Sequence, residues 1–400
     1  MFERTVIRHS QGGATLTPGE IAEALLFYQN VHIIMDPLSL KPLMDSLGPY
    51  GLLRLLERKR VSGFYAEDMC ITQNYPFSAT QQLHSFATAT IAGGRNESSP
   101  RKGKKGRLTG LLEAYGLSRL EAERFVDRFA RAVKIDRYSS DFLFPGGVHK
   151  AANEDVTDQA YISEAARTII ANTTGFEQFA SSLQFEIVPV GERFAVRTNI
   201  DFEVGNNRRK SAIAVTEDFT ESNILSGIFD ARVDVTLAAH YGADFYTSAV
   251  NSSIMRLRRA ELLKRTGLSI AELVKFNEVV LPNYPNIREV IDSGQRSFDD
   301  FLKLLDHADK FKHWLHGASP DSDLVREYVE KLTAEGWISS VPARLVRYMI
   351  AAAVGHFSEY GGMAVAAADM FLVERMFKGW RPNHFVDGKL RPFLGSEESD

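Results

Sequence analysis

From Phe194 to Val204 the chain alternates strictly, with Phe194, Val196, Thr198, Ile200, Phe202 and Val204 on one parity and Ala195, Arg197, Asn199, Asp201 and Glu203 on the other. A period of two sends successive side chains to opposite faces of a pleated ribbon, so this stretch predicts a β-strand with one face buried and one wet. Residues 184–190 before it and 211–215 after it supply partners, through Gly191-Glu192 and the polar segment GNNRRK, and an antiparallel meander is expected.

Upstream, Thr17-Pro18-Gly19-Glu20 has capping-box spacing with proline at the first helical position, predicting a helix from Pro18 to about Leu26. The β-branched run VHIIM (31–35) reads as a strand ended by Asp36-Pro37. Two short helices and a second strand, VSGFYAE, follow it, and MCITQNY and HSFATATIAGG add threonine-rich strands. GGRNESSPRKGKKGR (93–107) carries four glycines, a proline and six Lys or Arg against one acid, the composition of a loop. LSRLEAERFVDRFARAV and residues 153–172 have helical patterning, and the chain turns almost wholly helical from about Thr220.

The fold class expected is α+β: a small N-terminal α/β unit and an antiparallel β meander, followed by a mostly helical C-terminal domain. The borders drawn are 1–92, a basic glycine-rich linker at 93–108, a mixed region at 109–219, and a helical domain at 220–400.

The net charge of −4 gives no whole-molecule field that would gather nucleic acid or anionic membrane, so any such contact must be local. One cysteine, Cys70, excludes an intramolecular disulfide framework, and the N-terminus lacks the apolar core of a signal peptide; a cytoplasmic protein, at most peripheral to a membrane, is expected. There is no GxGxxG, GxSxG, HExxH or cysteine pair. Gly103-Lys104-Lys105 lacks both the Ser/Thr and the upstream glycine of a P-loop, Ser98 standing in the latter's place. No cofactor and no resident metal are expected.

Asp36, Glu67 and Asp68 stand at the C-terminal ends of two predicted strands, where a parallel sheet opens its ligand crevice. Were the strands neighbours, these carboxylates could share a magnesium ion and serve a metal-dependent phosphohydrolase or nuclease. Strand termination and helix capping are the structural alternative. Asp306, Asp309, His313 and His316 recur at helical steps along a predicted helix from Ser297 to Leu315, a spacing that suits either a metal or a solvated face. Cys70 reads as a packed thiol rather than a nucleophile.

Arg95, Arg101, Lys102, Lys104, Lys105 and Arg107 form the strongest cationic cluster, suited to phosphate on lipid or nucleic acid, although no aromatic residues interleave there for base stacking. Arg208, Arg209 and Lys210 are expected at the meander's tip. In 342–377 two Ala/Gly-rich apolar runs flank Gly361-Gly362. Ala351 and Gly355 are four apart, a spacing that lets helix backbones approach closely, and Arg375, Lys378 and Trp380 gather at the open end. Neither run reaches the roughly 20 apolar residues of a membrane span.

The leading expectation is a non-enzymatic interaction protein of sensor or effector type, of a design that would suit bacterial defence or stress responses. It would engage a protein partner, a second copy of itself or an anionic membrane surface through the basic linker and the C-terminal hairpin, with nucleic acid a lesser candidate. The alternative is the metal-dependent phosphohydrolase or nuclease built on Asp36, Glu67 and Asp68.

Overall fold

A computed structural model describes residues 2–9, 16–78, 81–90, 103–258, 275–278, 280–281, 284–317, 325–326, 328 and 382–395. The chain divides into two compact units. One holds residues 4–17 and 30–267, the other 1–3, 18–29 and 268–400.

The first unit carries a parallel and an antiparallel sheet, and together with many helices they make the fold α+β. The parallel sheet contains β1 (Arg4–Arg8), β2 (Asn30–Met35), β3 (Val61–Ala66), β6 (Val133–Asp136) and β9 (Asp244–Tyr246), in the order β6-β3-β2-β1-β9. Helices α2 (Pro37–Leu47) and α3 (Pro49–Leu56) connect β2 to β3. The connection from β3 to β6 includes β4 (Asp68–Pro76), β5 (Gln82–Thr90), α4 (Lys104–Ala114) and α5 (Arg119–Ala132). The helices α6 (Val148–Asp155), α7 (Gln159–Ala171), α8 (Phe202–Ala212) and α9 (Glu221–Tyr241) lie between β6 and β9, and α10 (Ala249–Arg258) follows. Because β6 pairs with β3 across the expected linker, with Phe64 beside Lys134, residues 93–108 do not separate one fold from another, and α4 begins inside that stretch. The C-terminal stretch of the helical unit starts at 268 rather than 220, since α9 belongs to the core of the mixed unit, and residues 18–29, expected in the N-terminal unit, fall in the helical one.

The antiparallel sheet has the order β4-β5-β8-β7, with β7 (Phe185–Val190) and β8 (Arg193–Thr198) joined at Gly191, which has φ +63°. Only Glu67 separates β3 from β4, so the chain passes directly from one sheet into the other. The predicted strand over 194–204 is half right. It stops at Thr198, and Asp201 then caps α8, its Oδ1 accepting from Val204 N at 3.0 Å. The expected 211–215 strand is absent, and Arg208, Arg209 and Lys210 ride on α8 rather than at a hairpin tip. A cap satisfies a helix's free amides locally, whereas alternation through 204 would have needed a further strand to pair with.

One face of the parallel sheet is apolar at its centre, where Val6, Ile34 and Phe64 join the core with Ile228, Phe229 and Val233 of α9. Arg4 and Arg8 flank Val6 on the same face by the alternation of β1.

In the helical unit, α1 (Pro18–Phe27) packs against α11 (Ile287–Asp292). Gly19 N donates to Asp292 Oδ1 at 2.8 Å, a Cβ at Gly19 would stand 2.5 Å from Arg288 O, and Arg288 reaches Glu23 at 2.7 Å. Phe276 meets Phe27 and Phe311, and Phe311 stacks on Trp314 and Phe385. The helix expected from Ser297 to Leu315 is two helices, α12 (Phe298–Asp306) and α13 (Asp309–Gly317), so Asp306, Asp309, His313 and His316 do not line one helical face. Helices α14 (Pro382–Phe385) and α15 (Arg391–Leu394) bracket a π-helical turn at 386–390. Among the described residues no helix is long and apolar enough to cross a membrane.

Candidate functional site

In a parallel sheet the place to look for a ligand is the crevice at the carboxyl ends of the strands, where the strand order reverses. Here that point is β1, with β2 on one side and β9 on the other. The chain's own side chains fill it. Arg8, the last residue of β1, donates from Nε to Asp234 Oδ1 at 2.6 Å and from Nη2 to Asp230 Oδ1 at 3.0 Å and Asp230 O at 2.9 Å. All three residues are buried, and Asp230 and Asp234 are one helical turn apart on α9. Thr247 Oγ1, just past β9, and Asn251 Nδ2 of α10 each reach the other oxygen of Asp234 at 3.2 Å. Burial works against the Arg8 charge, but Asp234 and Asp230 more than offset it and its pKa lies well above the ordinary value. Burial pushes the Asp234 carboxyl up to about 6, against the pull of Arg8.

The three predicted carboxylates do stand at adjacent strand ends, since Met35 pairs with Tyr65. Each is engaged by this chain. Asp36 is the N-cap of α2, its Oδ1 accepting from Leu38 N, Ser39 N and Ser39 Oγ at 2.8–2.9 Å. Glu67 receives a two-pronged contact from Arg107, Nε at 2.9 Å and Nη2 at 2.6 Å, with Arg137 Nε at 3.5 Å. Asp68 holds the loop after β6, accepting from Tyr138 N at 2.6 Å, Ser139 Oγ at 2.6 Å and Ser139 N at 3.1 Å. Among the described residues no group of three or more His, Cys, Asp or Glu is arranged to hold a metal ion. Cys70 is packed against the core, and burial, assisted by Asp68, Asp230 and Asp36, drives its thiol pKa well above the ordinary value despite Arg8.

The basic cluster of the expected linker is partly spent on internal pairs. Lys104 reaches Ile135 O at 2.8 Å and Asp136 at 3.3 Å, Lys105 reaches Asp127 at 2.9 Å, and Arg107 is held by Glu67. Arg95, Arg101 and Lys102 lie outside the described residues, as do Ala351, Gly355, Gly361, Gly362, Arg375, Lys378 and Trp380.

Sequence reasoning missed a cleft of about 350 Å³ walled by α7, α8, α9 and α10. Two glycines bring its walls together. Gly175, at φ +86°, would place a Cβ 2.6 Å from Arg209 N, and a Cβ on Gly205 would stand 2.2 Å from the Phe176 ring. Only glycine permits α8 to dock this closely on the turn after α7. Docking brings Arg209 to the cleft, where its Nη1 donates to Glu217 O at 2.8 Å. Several arginines of this unit face a carboxylate, but among the described residues none lies within ion-pair range of Arg209. Ile169, Phe219 and Val250 give the cleft apolar wall, Thr174 and Asn223 add polar groups, and the buried Asn251 connects it to Asp234. The sequence did carry one signal for the Arg8 network: two aspartates four apart in the apolar run IFDARVDVTLAA demand a buried cation. No protein-family model, curated protein or solved structure matches this chain.

Proposed function

We propose that this chain is a non-enzymatic, sensor-type interaction protein whose mixed unit recognises a small organic anion in the Arg209 cleft. One observation carries the reading: an arginine with no carboxylate partner among the described residues stands beside apolar wall in a cleft of about 350 Å³, a volume within the range of small-molecule sites. A guanidinium so placed suits a carboxylate or phosphate, and the apolar wall suits the body that carries it. No observation favours the metal-dependent hydrolase over this reading, because Glu67 and Asp68 hold protein donors on both oxygens and Asp36 caps α2 through Oδ1. Contact with a protein partner or an anionic membrane surface is assigned, on composition, to residues 93–108 and 342–377. Flotation on neutral and anionic liposomes separates those two, since a protein that stays soluble with both excludes the membrane.

Calorimetric titration of the full chain with mononucleotides, sugar phosphates and dicarboxylates tests the cleft. At least one compound is expected to bind, with affinity reduced about tenfold or more in Arg209→Ala, the scale of a lost charge-assisted contact. Thr174→Trp, which fills the cleft, should abolish binding. A binder indifferent to both substitutions, or a panel without a binder at millimolar concentration, would refute the reading.

A further inference from the structure

The opposite, N-terminal edge of the parallel sheet carries a second concentration of charge that the cleft does not involve. Arg4 of β1 donates from Nη1 to Tyr241 O, in the last turn of α9, at 3.1 Å. The Tyr241 ring lies 3.8 Å from the His32 ring of β2 and 4.7 Å from that of His240. His240 in turn stands 4.7 Å from the Phe142 ring, and Lys134 of β6 places its ammonium 3.5 Å from the centre of the same ring. Four cationic or protonatable side chains are thus linked through two aromatic rings. Arg4, Lys134 and His240 are exposed, while His32 is buried.

Cations at the end of α9 have a structural role, because the carbonyl end of a helix carries about half a negative charge. Arg4 already reaches that end, so three further groups exceed the need. No carboxylate lies within ion-pair range of any of the four among the described residues. Their mutual influence is repulsive. Burial, then His240 and Arg4, push His32 down to about 4, and burial and Lys134 push His240 below its ordinary value. The second observation is an unmet polar atom. His32 Nδ1 is engaged by Ser62 Oγ at 2.6 Å, but Nε2 is buried without a hydrogen-bond partner among the described residues. Cationic groups brought together with no acid among the described residues, around an imidazole with one nitrogen unmatched, suit a multivalent oxyanion, whose oxygens accept from several donors at once.

We propose that Arg4, His32, Lys134 and His240 form a binding site for a phosphate dianion, free or carried on a small ester. The site is independent of the Arg209 cleft and shares no residue with it. Binding draws a proton onto the histidines, because an anion beside them favours their charged forms.

The test is histidine-detected NMR of the full chain, titrated with inorganic phosphate and separately with phenyl phosphate. Sodium chloride matched for ionic strength is the control. Phosphate is expected to raise the pKa of both His32 and His240 well beyond the chloride control. The exposed pair of changes Lys134→Gln and His240→Gln should weaken binding about tenfold while leaving the fold intact. Tighter binding of phenyl phosphate than of inorganic phosphate assigns the site to an ester, and the reverse assigns it to the free ion. Histidine shifts equal to those in chloride, or phosphate binding that survives the double change, would overturn the proposal. Arg209→Ala should leave phosphate binding here unchanged, which separates this site from the cleft.

Discussion

Arg8 Nε stands 2.6 Å from Asp234 Oδ1, both residues buried, at the point where the order of the parallel strands reverses. A crevice that in many parallel sheets receives a ligand here holds an internal ion pair, and the cleft beside Arg209 lies among α7, α8, α9 and α10. Asn251 belongs to both, lining the cleft and donating to Asp234. Occupancy of the cleft and the state of the clamp therefore share a side chain.

The clamp should be costly to break and cheap to replace whole. Asp234→Ala leaves the Arg8 charge buried with Asp230 alone, and a loss of about 3–5 kcal/mol in folding stability is expected. Removing the charges together, as Arg8→Met with Asp230→Asn and Asp234→Asn, should recover most of that loss. Urea denaturation midpoints measure both.

Two buried groups should tilt the pH dependence of stability in opposite directions. Asp234 titrates near 6 in the folded chain against an ordinary 3.8, so folding takes up protons between those values and its contribution falls as pH rises through that window. His32 titrates near 4 against an ordinary 6.5, so folding releases protons and its contribution grows as pH rises from about 4 to 6.5. In denaturation midpoints taken across this range, Asp234→Asn should steepen the rise of stability with pH. His32→Gln should flatten it.

What the sequence made legible was local. The capping spacing at Pro18, the apolar run before Asp36 and the amphipathic pattern of 117–133 all appear as helices and strands within a residue or two of expectation, because each signal and its structure lie within one element. The convergence of Asp36, Glu67 and Asp68 on one edge was also readable, since strand ends fix it. Their engagement was not, because Arg107, Tyr138 and Ser139 come from 40, 70 and 71 residues away in the chain. The same limit hid the clamp, whose partners Arg8 and Asp234 are 226 residues apart. The alternation over 194–204 misled for another reason: Asp201 fits the polar parity of a strand as well as the N-cap of a helix, and eleven residues cannot separate the two.

Gly205 opens the polar segment GNNRRK, whose composition suits a turn, but it is a packing residue. An added methyl would stand 2.2 Å from the ring of Phe176, which is fully buried among Phe179, Phe202 and Phe219 and cannot retreat. Gly205→Ala is expected to cost about 1–3 kcal/mol by overpacking. It should also shift α8 enough to weaken any ligand of the Arg209 cleft. A loss of stability without a loss of affinity would show that α8 does not position that arginine.

Alanine substitution of the three strand-end acids separates a structural from a metal-binding role. Asp68 is buried, and both of its oxygens hold the loop after β6, so Asp68→Ala strands the Tyr138 and Ser139 donors at a cost of about 2–4 kcal/mol. Asp36→Ala removes a helix N-cap, worth about 1 kcal/mol. Glu67→Ala should cost less than Asp68→Ala, because Arg107 and Arg137 are partly exposed and can turn to water. If the acids are structural, denaturation midpoints should follow this ranking, and millimolar magnesium should leave the wild-type melting temperature unchanged. Magnesium-dependent stabilisation lost equally in all three variants would instead restore the hydrolase. A carboxylate that binds a metal contributes to stability only when the metal is present, whereas one that caps a helix or holds a loop contributes always.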